Sequence, residues 1–191
     1  LHTKGMRTGN TRRWHGTRTH GEHFSAEESP LRPYLGKEKT IRTCPAFRSY
    51  FDKDTTSAFE AGCGGYGYNQ YGVGSRAYLM GYVAACQTRG MVPGGIKFPA
   101  QTVMFADAAF IDGGELIEYS FAESYRHLDR NGSPSEQAEP SIHFRHRGKA
   151  NVVWCDGHIS QEAMTVQYND EFTARDLGWF GEKNNDLFDP Y

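Results

Sequence analysis

The 191-residue chain lacks several features that would assign it to a common functional class. It has no run of about 18 apolar residues, so the sequence predicts neither a transmembrane helix nor a retained signal peptide. Its net charge of −2 argues against a dedicated nucleic-acid binder, which needs a clustered basic excess. Paired C-x-x-C spacing, a G-x-S-x-G nucleophile elbow and a phosphate-binding glycine loop are also absent. We therefore predict that the chain is not an enzyme and uses no cofactor.

Glycine and aromatic residues are plentiful, with 22 glycines and an aromatic fraction of 14%. We interpret this composition as that of a turn-rich sheet protein with few long helices. At this length one domain is the natural expectation. We predict an α+β fold dominated by antiparallel sheet, with irregular loops, an extended N-terminal arm and a globular domain over residues 25–164.

Charge is distributed unevenly between the two ends of the chain. Residues 1–24 are basic and lack the periodicity of a helix or a strand, so we expect them to form an extended arm. Five residues of this arm are candidates for a contact with an adjacent subunit: Arg7, Arg12, Arg13, Trp14 and Arg18. Residues 165–191 are acidic and aromatic, and we expect this tail to pack on the domain or on a neighbouring subunit.

A hairpin is predicted around one short apolar strand. Residues 151–155 are rich in β-branched and aromatic side chains, and the Asp156-Gly157 dipeptide that follows suits a tight turn. The chain should therefore reverse there and continue antiparallel through residues 158–162. On the other side, residues 141–146 are expected to pair with residues 151–155 across a turn at residues 147–149.

Other elements are predicted from shorter patterns. Strands are expected at residues 102–106 and 115–121, with the turn between them at residues 111–114. A short helix is expected near residues 26–36, because Ser25 and the glutamate three residues later form a capping box. Two prolines in this stretch limit the length of that helix.

Four cysteines, Cys44, Cys63, Cys86 and Cys155, permit two disulfides in an oxidising compartment. We favour Cys44 with Cys63, because the loop between them is short and polar, followed by Cys86 with Cys155. The alternative is that Cys155 is a buried thiol on an apolar strand. Asn131 begins an Asn-Gly-Ser sequon in a polar loop and is a possible glycosylation site.

Five short motifs occur in a characteristic order between residues 31 and 160. They are Leu31-Arg-Pro-Tyr-Leu35, Cys44-Pro45, Tyr66-Gly-Tyr-Asn69, Pro99 to Asp107, and His146 followed after nine residues by Asp156-Gly157. In this order they resemble the landmarks of the H-X9-DG (DUF1559) group of pseudopilin-like proteins, which are similar to the type II secretion pseudopilin G. His146, Asp156 and Gly157 match the C-terminal motif of that group.

The resemblance implies a structural subunit of an extracellular or cell-surface filament. Copies of the chain would assemble by non-covalent head-to-tail contacts that involve the N-terminal arm. The group also has a leader and an apolar anchoring helix, which residues 1–191 lack, so a membrane contact is expected only through that missing helix. A chain that starts at Leu1 without this helix is expected to be a processed or incomplete product. Glycans are possible partners, and no nucleic-acid partner is expected.

Two alternatives to a filament subunit remain open from the sequence. One is a membrane-anchored minor pseudopilin of a secretion system. The other is a secreted carbohydrate-binding or hydrolytic domain. Aromatic surfaces such as Trp14 and Trp179 would bind the sugar, and Asp107 with Glu118 would supply the carboxylate pair that hydrolysis needs.

A metal site could be assembled from His143, His146 and His158 together with Asp156 or Asp107. The strand between residues 146 and 158 should hold those two histidines too far apart to share an ion. We therefore predict no metal site. Instead, we expect Asp156 and His146 to stabilise their turns through hydrogen bonds to the backbone.

Overall fold

The computed structural model describes residues 11–19, 24–35, 43–50, 60–83, 85–86 and 89–191. Its strands are β1 (Thr11–Arg13), β2 (Gly16–Arg18), β3 (Tyr66–Tyr68), β4 (Val103–Asp107), β5 (Phe110–Asp112), β6 (Glu115–Ile117), β7 (Arg126–Leu128), β8 (Pro134–Gln137), β9 (Ile142–His143), β10 (Lys149–Trp154), β11 (Ile159–Ala163) and β12 (Leu177–Gly178). Its helices are α1 (Arg32–Leu35), α2 (Ala77–Met80) and α3 (Asp170–Thr173), with 3-10 turns at Ala26–Glu28, Phe47–Tyr50 and Pro93–Gly95. None of the described helices is long and apolar enough to cross a membrane.

The chain is strand-rich, with antiparallel sheets and short helices, so the predicted α+β class is confirmed in its coarse form. A four-stranded sheet in the order β11-β10-β4-β3 lies at the centre, and every neighbouring pair is antiparallel. Alternate residues of β10 are buried, as expected for a strand with one face on the core. Side chains from β4, β9 and β10 and from the C-terminal tail form the main cluster: Val103, Ile142, Val152, Trp154, Phe180 and Phe188.

The predicted reversal at Asp156-Gly157 is confirmed. It joins β10 to β11, and the Trp154 amide donates to the carbonyl of His158 at 3.0 Å. Gly157 adopts a φ of 94°, a conformation that glycine takes without a steric penalty. The Asp156 carboxylate accepts a hydrogen bond from the backbone amide of His158 at 3.0 Å, so its predicted role in the turn is also confirmed.

The predicted pairing of residues 141–146 with residues 151–155 is wrong. Strand β9 pairs instead with β12, because β4 and β11 already occupy both edges of β10. The turn at residues 147–149 does form, since the backbones of His146 and Lys149 exchange hydrogen bonds of 2.9 and 3.3 Å. The strand on its N-terminal side, however, turns away to another partner.

The remaining local predictions are partly correct. Strand β4 matches the first predicted strand, whereas the second ends at Ile117, four residues early. The turn near residues 113–114 joins β6 to β5, which we did not predict. The predicted helix is split into the Ala26–Glu28 turn and α1. Ser25 makes no side-chain cap, because its backbone pairs with Thr17 beside β2. Residue 36 lies outside the described residues.

Residues 11–18 do not form an extended arm. Strands β1 and β2 form a hairpin that packs on the domain of the same chain. Arg13 donates to the Glu60 carboxylate through Nε and Nη2 at 2.9 to 3.1 Å, and the Trp14 indole donates to the carbonyl of Ser120 at 3.1 Å. The predicted arm is therefore wrong for this stretch. Arg18 is buried over the ring of Phe24, Arg12 is exposed, and Arg7 lies outside the described residues.

The C-terminal tail packs into the domain. Trp179 is only 1% exposed and contacts the Tyr125 ring edge-on, so it is not a sugar-binding surface of the kind that the carbohydrate-binding alternative needs. The side-chain amide of Asn185 exchanges hydrogen bonds of 2.8 and 2.9 Å with the backbone of Arg126. Together with Phe180 and Phe188 in the main core cluster, these contacts fix the tail on the sheet.

The cysteines and the sequon are placed as follows. All four cysteines are free thiols, so the structure contains neither of the two predicted disulfides. Cys44, Cys63 and Cys86 are buried, and Cys155 is half-buried after β10. Asn131 lies exposed in the loop between β7 and β8, where the sequon is accessible at the surface.

A buried acid generates the first testable prediction. Glu123 accepts a hydrogen bond from the Tyr119 hydroxyl at 2.8 Å, and burial raises the pKa of Glu123 to about 7. A raised folded-state pKa means that the unfolded chain ionises first, so the free energy of unfolding falls as pH rises from about 4.5 to about 7. Between pH 5 and pH 8 we expect the free energy of unfolding of Glu123→Gln to fall by about 1–3 kcal/mol less than that of wild type.

Urea unfolding of both proteins at the two pH values measures this difference. Glu139→Gln, at an exposed position, is the matched control and should leave the pH dependence unchanged. Equal pH dependence in wild type and Glu123→Gln would contradict the raised pKa.

Candidate functional site

A cluster of polar side chains lies where the central sheet meets β9. Asp107 ends β4, His143 ends β9, Arg145 and His146 follow β9, and Cys44 precedes the 3-10 turn at Phe47–Tyr50. We call these five side chains the Asp107 centre. All except His146 are buried, and the side chain of His146 is 25% exposed. The centre therefore opens to solvent on the His146 side.

Arg145 is the central hydrogen-bond donor of this cluster. Its Nη2 donates to Asp107 Oδ1 and to the carbonyl of Gly65, both at 2.5 Å. Its Nε lies 3.4 Å from Cys44 Sγ, and the guanidinium carbon lies 4.8 Å from the centre of the Phe47 ring. A buried guanidinium needs such a complete set of acceptors, because an unpaired charge there would be strongly destabilising.

The contact of Arg145 with His143 fixes the protonation of that histidine. Nη1 of Arg145 lies 3.2 Å from His143 Nδ1, and arginine can only donate, so Nδ1 must accept and the ring proton resides on Nε2. Burial, together with the positive charge of Arg145, lowers the pKa of His143 to about 3. His143 is therefore neutral across the physiological range.

Both oxygens of Asp107 are engaged. Oδ1 accepts from Arg145, and Oδ2 accepts from the backbone amide of Asn151 on β10 at 2.7 Å. Burial raises the pKa of Asp107, while the Arg145 guanidinium, the Asn151 amide and His146 oppose that shift. Because two donors, one of them permanently charged, contact it directly, we expect the carboxylate to be ionised at neutral pH.

The His146 ring contacts two other groups of the centre. Its Nε2 lies 3.2 Å from Asp107 Oδ2 and 3.6 Å from Cys44 Sγ. We predicted that the side chain of His146 hydrogen-bonds to the backbone of its turn, and that prediction is wrong. Only the backbone of His146 closes the turn, while its side chain points to the carboxylate at the end of β4.

The other half of the H-X9-DG motif lies elsewhere. Asp156 and Gly157 form the turn after β10, whereas His146 precedes β10, so the two parts of the motif flank opposite ends of one strand. His158 Nδ1 lies 2.6 Å from Asp156 Oδ1, and both side chains are at least one-third exposed. Hydrogen bonds from His158 lower the pKa of Asp156. His158 and Asp156 form a separate surface pair rather than a site shared with His146.

Glu118 is engaged in contacts of its own. Its carboxylate accepts from the backbone amides of Gly62 and Gly64, both at 2.6 Å. Asp107 is meanwhile held by Arg145 and Asn151. Since each carboxylate already binds other groups of the protein, the geometry does not support Asp107 and Glu118 as a hydrolytic pair.

An apolar cleft of about 200 Å³ lies between the N-terminal hairpin and the outer face of the central sheet. Its walls include Trp14, Leu31, Leu35, Phe105 and Val153. Trp14 also packs edge-on against Phe105, with ring centres 5.2 Å apart. Trp14 therefore forms a wall of this cleft and anchors the hairpin, which is a different position from the exposed platform considered for sugars.

From the sequence we predicted neither a role for Arg145 nor the contact between Cys44 and His146. Cys44 and His146 are 102 positions apart in the sequence, and only the folded chain brings them together. The Cys44-Pro45 and Asp107 landmarks were the available signal, because both motifs contribute a residue to this centre.

No protein-family model, curated protein or solved structure matches the chain.

The second prediction concerns the buried ion pair. Replacing Arg145 with Met leaves Asp107 buried without its charged partner, so we expect the free energy of unfolding to fall by about 3–5 kcal/mol. Chemical denaturation of the purified variant measures this loss. Arg147→Met, two residues away and exposed, is the matched control and should change stability by less than about 0.5 kcal/mol. A similarly small loss in Arg145→Met would contradict the role given to the pair.

Proposed function

We propose that the chain is a pseudopilin-like structural subunit of an extracellular or cell-surface filament, built from copies of itself. The observation that carries the proposal is that the motif residues are used for internal contacts. The motif residue Asp107, through its ion pair with Arg145, ties β4 to the segment after β9, and the motif residues Asp156-Gly157 close the β10–β11 hairpin. Residues used in this way build a rigid scaffold, as a structural subunit requires.

Asn69, the last residue of the Tyr66–Asn69 motif, supports the same interpretation. Its side-chain amide donates to the carbonyls of Val103 and Phe188, both at 2.9 Å, and its oxygen accepts from the Gly72 amide at 2.9 Å. One buried side chain thus ties β4, the C-terminal tail and a glycine-rich loop together. This contact is again structural, and it leaves the amide no free group for a ligand.

The hydrolytic alternative has less support. Asp107 and Glu118 are both engaged with protein donors, and Trp179 is buried in the core. A glycosidase needs two carboxyl groups that face a common cleft and a substrate between them. The cleft beside Trp14 is mainly apolar and has no carboxylate among its lining residues.

Charge complementarity indicates where copies of the chain would meet. Arg13 and Trp14 are used within the chain, whereas Arg12 is exposed, and the sequence before it carries the basic residues Lys4 and Arg7. The tail presents exposed acids, among them Asp170, Glu171, Glu182 and Asp186. A contact between the basic head of one copy and the acidic tail of the next is heterologous and generates an open filament when the rotation does not close.

The third prediction tests this contact by charge reversal. Neither the Arg7→Glu/Arg12→Glu variant nor the Glu171→Lys/Glu182→Lys variant should assemble alone, because in each variant one end loses its net charge and no longer complements the other end. An equimolar mixture should copolymerise, since the reversed head of one variant complements the reversed tail of the other. Sedimentation velocity and negative-stain microscopy of the purified proteins measure assembly.

The control is Arg130→Glu/Arg147→Glu, which makes the same charge change as the Arg7→Glu/Arg12→Glu variant at two exposed positions elsewhere in the chain and should assemble like wild type. Assembly of either double variant on its own would contradict the proposed contact. A wild-type chain that stays monomeric at every concentration would contradict the proposed function itself.

A further inference from the structure

We propose that Cys44, Asp107 and His146 bind one zinc ion, with Cys44 Sγ, Asp107 Oδ2 and His146 Nε2 as its three protein ligands. This inference is independent of filament assembly, and it departs from our expectation that the chain has no metal site. The structure brings together a different set of residues from the histidines considered in the sequence. His158 pairs with Asp156 at the surface, and Nδ1 of His143 is bound to Arg145.

The two distances from His146 Nε2 to the other ligand atoms match the edges of a tetrahedron around zinc. With bond lengths of about 2.3 Å to sulfur and about 2.0–2.1 Å to nitrogen and oxygen, tetrahedral angles place N and S about 3.6 Å apart and N and O about 3.3 Å apart. The observed separations from His146 Nε2 are 3.6 Å to Cys44 Sγ and 3.2 Å to Asp107 Oδ2. All three ligand atoms lie within 4.8 Å of one another.

The same geometry argues against a catalytic Cys-His-Asp relay. In such a relay one ring nitrogen of the histidine faces the nucleophile, and the other faces the orienting carboxylate. Here a single atom, His146 Nε2, faces both Cys44 and Asp107. Three atoms that converge in this way surround a common point, which is the arrangement of metal ligands.

The surrounding donors are suited to orient these ligands. The Asn151 amide donates to Asp107 Oδ2, and Arg145 binds Oδ1 on the far side of the carboxylate, so the carboxylate cannot rotate freely. Arg145 Nε also points at Cys44 Sγ, where it would stabilise a thiolate. Hydrogen bonds of this kind to carboxylate and sulfur ligands are typical of established metal sites.

The donor set selects the kind of metal. One thiolate, one imidazole and one carboxylate suit zinc, whereas magnesium and calcium prefer oxygen ligands alone. The ligand charges of the thiolate and the carboxylate balance a divalent ion, and Arg145 remains outside the ligand shell. The partly exposed His146 side chain leaves a path from solvent, so water would complete the tetrahedron.

The fourth prediction uses the full chain after treatment with a chelator. Isothermal titration with Zn²⁺ should give one equivalent per chain, and Co²⁺ should produce a near-ultraviolet thiolate-to-cobalt charge-transfer band that Zn²⁺ abolishes. Cys44→Ser should lose that band. His146→Asn should weaken Zn²⁺ binding by more than the 10–100-fold that loss of a group around the ligands typically costs.

The matched controls are Cys155→Ser and His158→Asn, which remove a cysteine and a histidine outside the centre and should bind like wild type. Circular dichroism of the metal-free proteins checks that each variant folds. His146→Asn keeps the Asp107–Arg145 pair, so it provides a test even where Cys44→Ser is unstable. Absence of the charge-transfer band, or equal binding by wild type and His146→Asn, would overturn the proposal.

Discussion

Asp107 and Arg145 form an ion pair in which neither side chain has any solvent exposure, and either charge left alone there would cost several kcal/mol. Arg145 therefore stays in place only if its other acceptors, the carbonyl of Gly65 and the ring of His143, stay with it. Those acceptors belong to a glycine-rich loop and to β9. Through one guanidinium, segments that are distant in sequence are thus held in a single arrangement at the edge of the central sheet.

Both ends of the described chain depend on long-range contacts of a similar kind. The N-terminal hairpin is held by Arg13, whose guanidinium binds Glu60 through two nitrogens, and by the indole of Trp14. Contacts with His15, Arg13 and Ser120 outweigh the effect of burial and lower the pKa of Glu60, so that acid stays charged at neutral pH. The tail completes the main cluster with Phe180 and Phe188. Because both ends pack on the domain, the surface that they leave exposed is what a neighbouring copy would meet.

Turns and strands were predicted from the sequence with more success than the strands and side chains that each of them contacts. The turn at Asp156-Gly157 depends on two adjacent residues and their preferred φ angles, so its position was evident. The strand that pairs with β10 on its other edge was not evident from the sequence. That strand is β4, which lies more than 40 positions earlier and takes the edge that we assigned to residues 141–146. Burial of Arg145 was also unforeseen, since arginine is mostly exposed. Three members of the Asp107 centre, Cys44, Asp107 and His146, could thus be identified as motif residues, but the contacts between them could not be predicted.

The central claim of this account is that the chain serves as a structural subunit, and direct observation of the natural material tests it best. Cryo-electron microscopy of natively isolated protein, with no assumed symmetry, would show the assembled state without any engineered change. The account predicts regular fibres whose repeating density fits this fold, with the basic head of one copy beside the acidic tail of the next. Discrete monomers in the same material would contradict it.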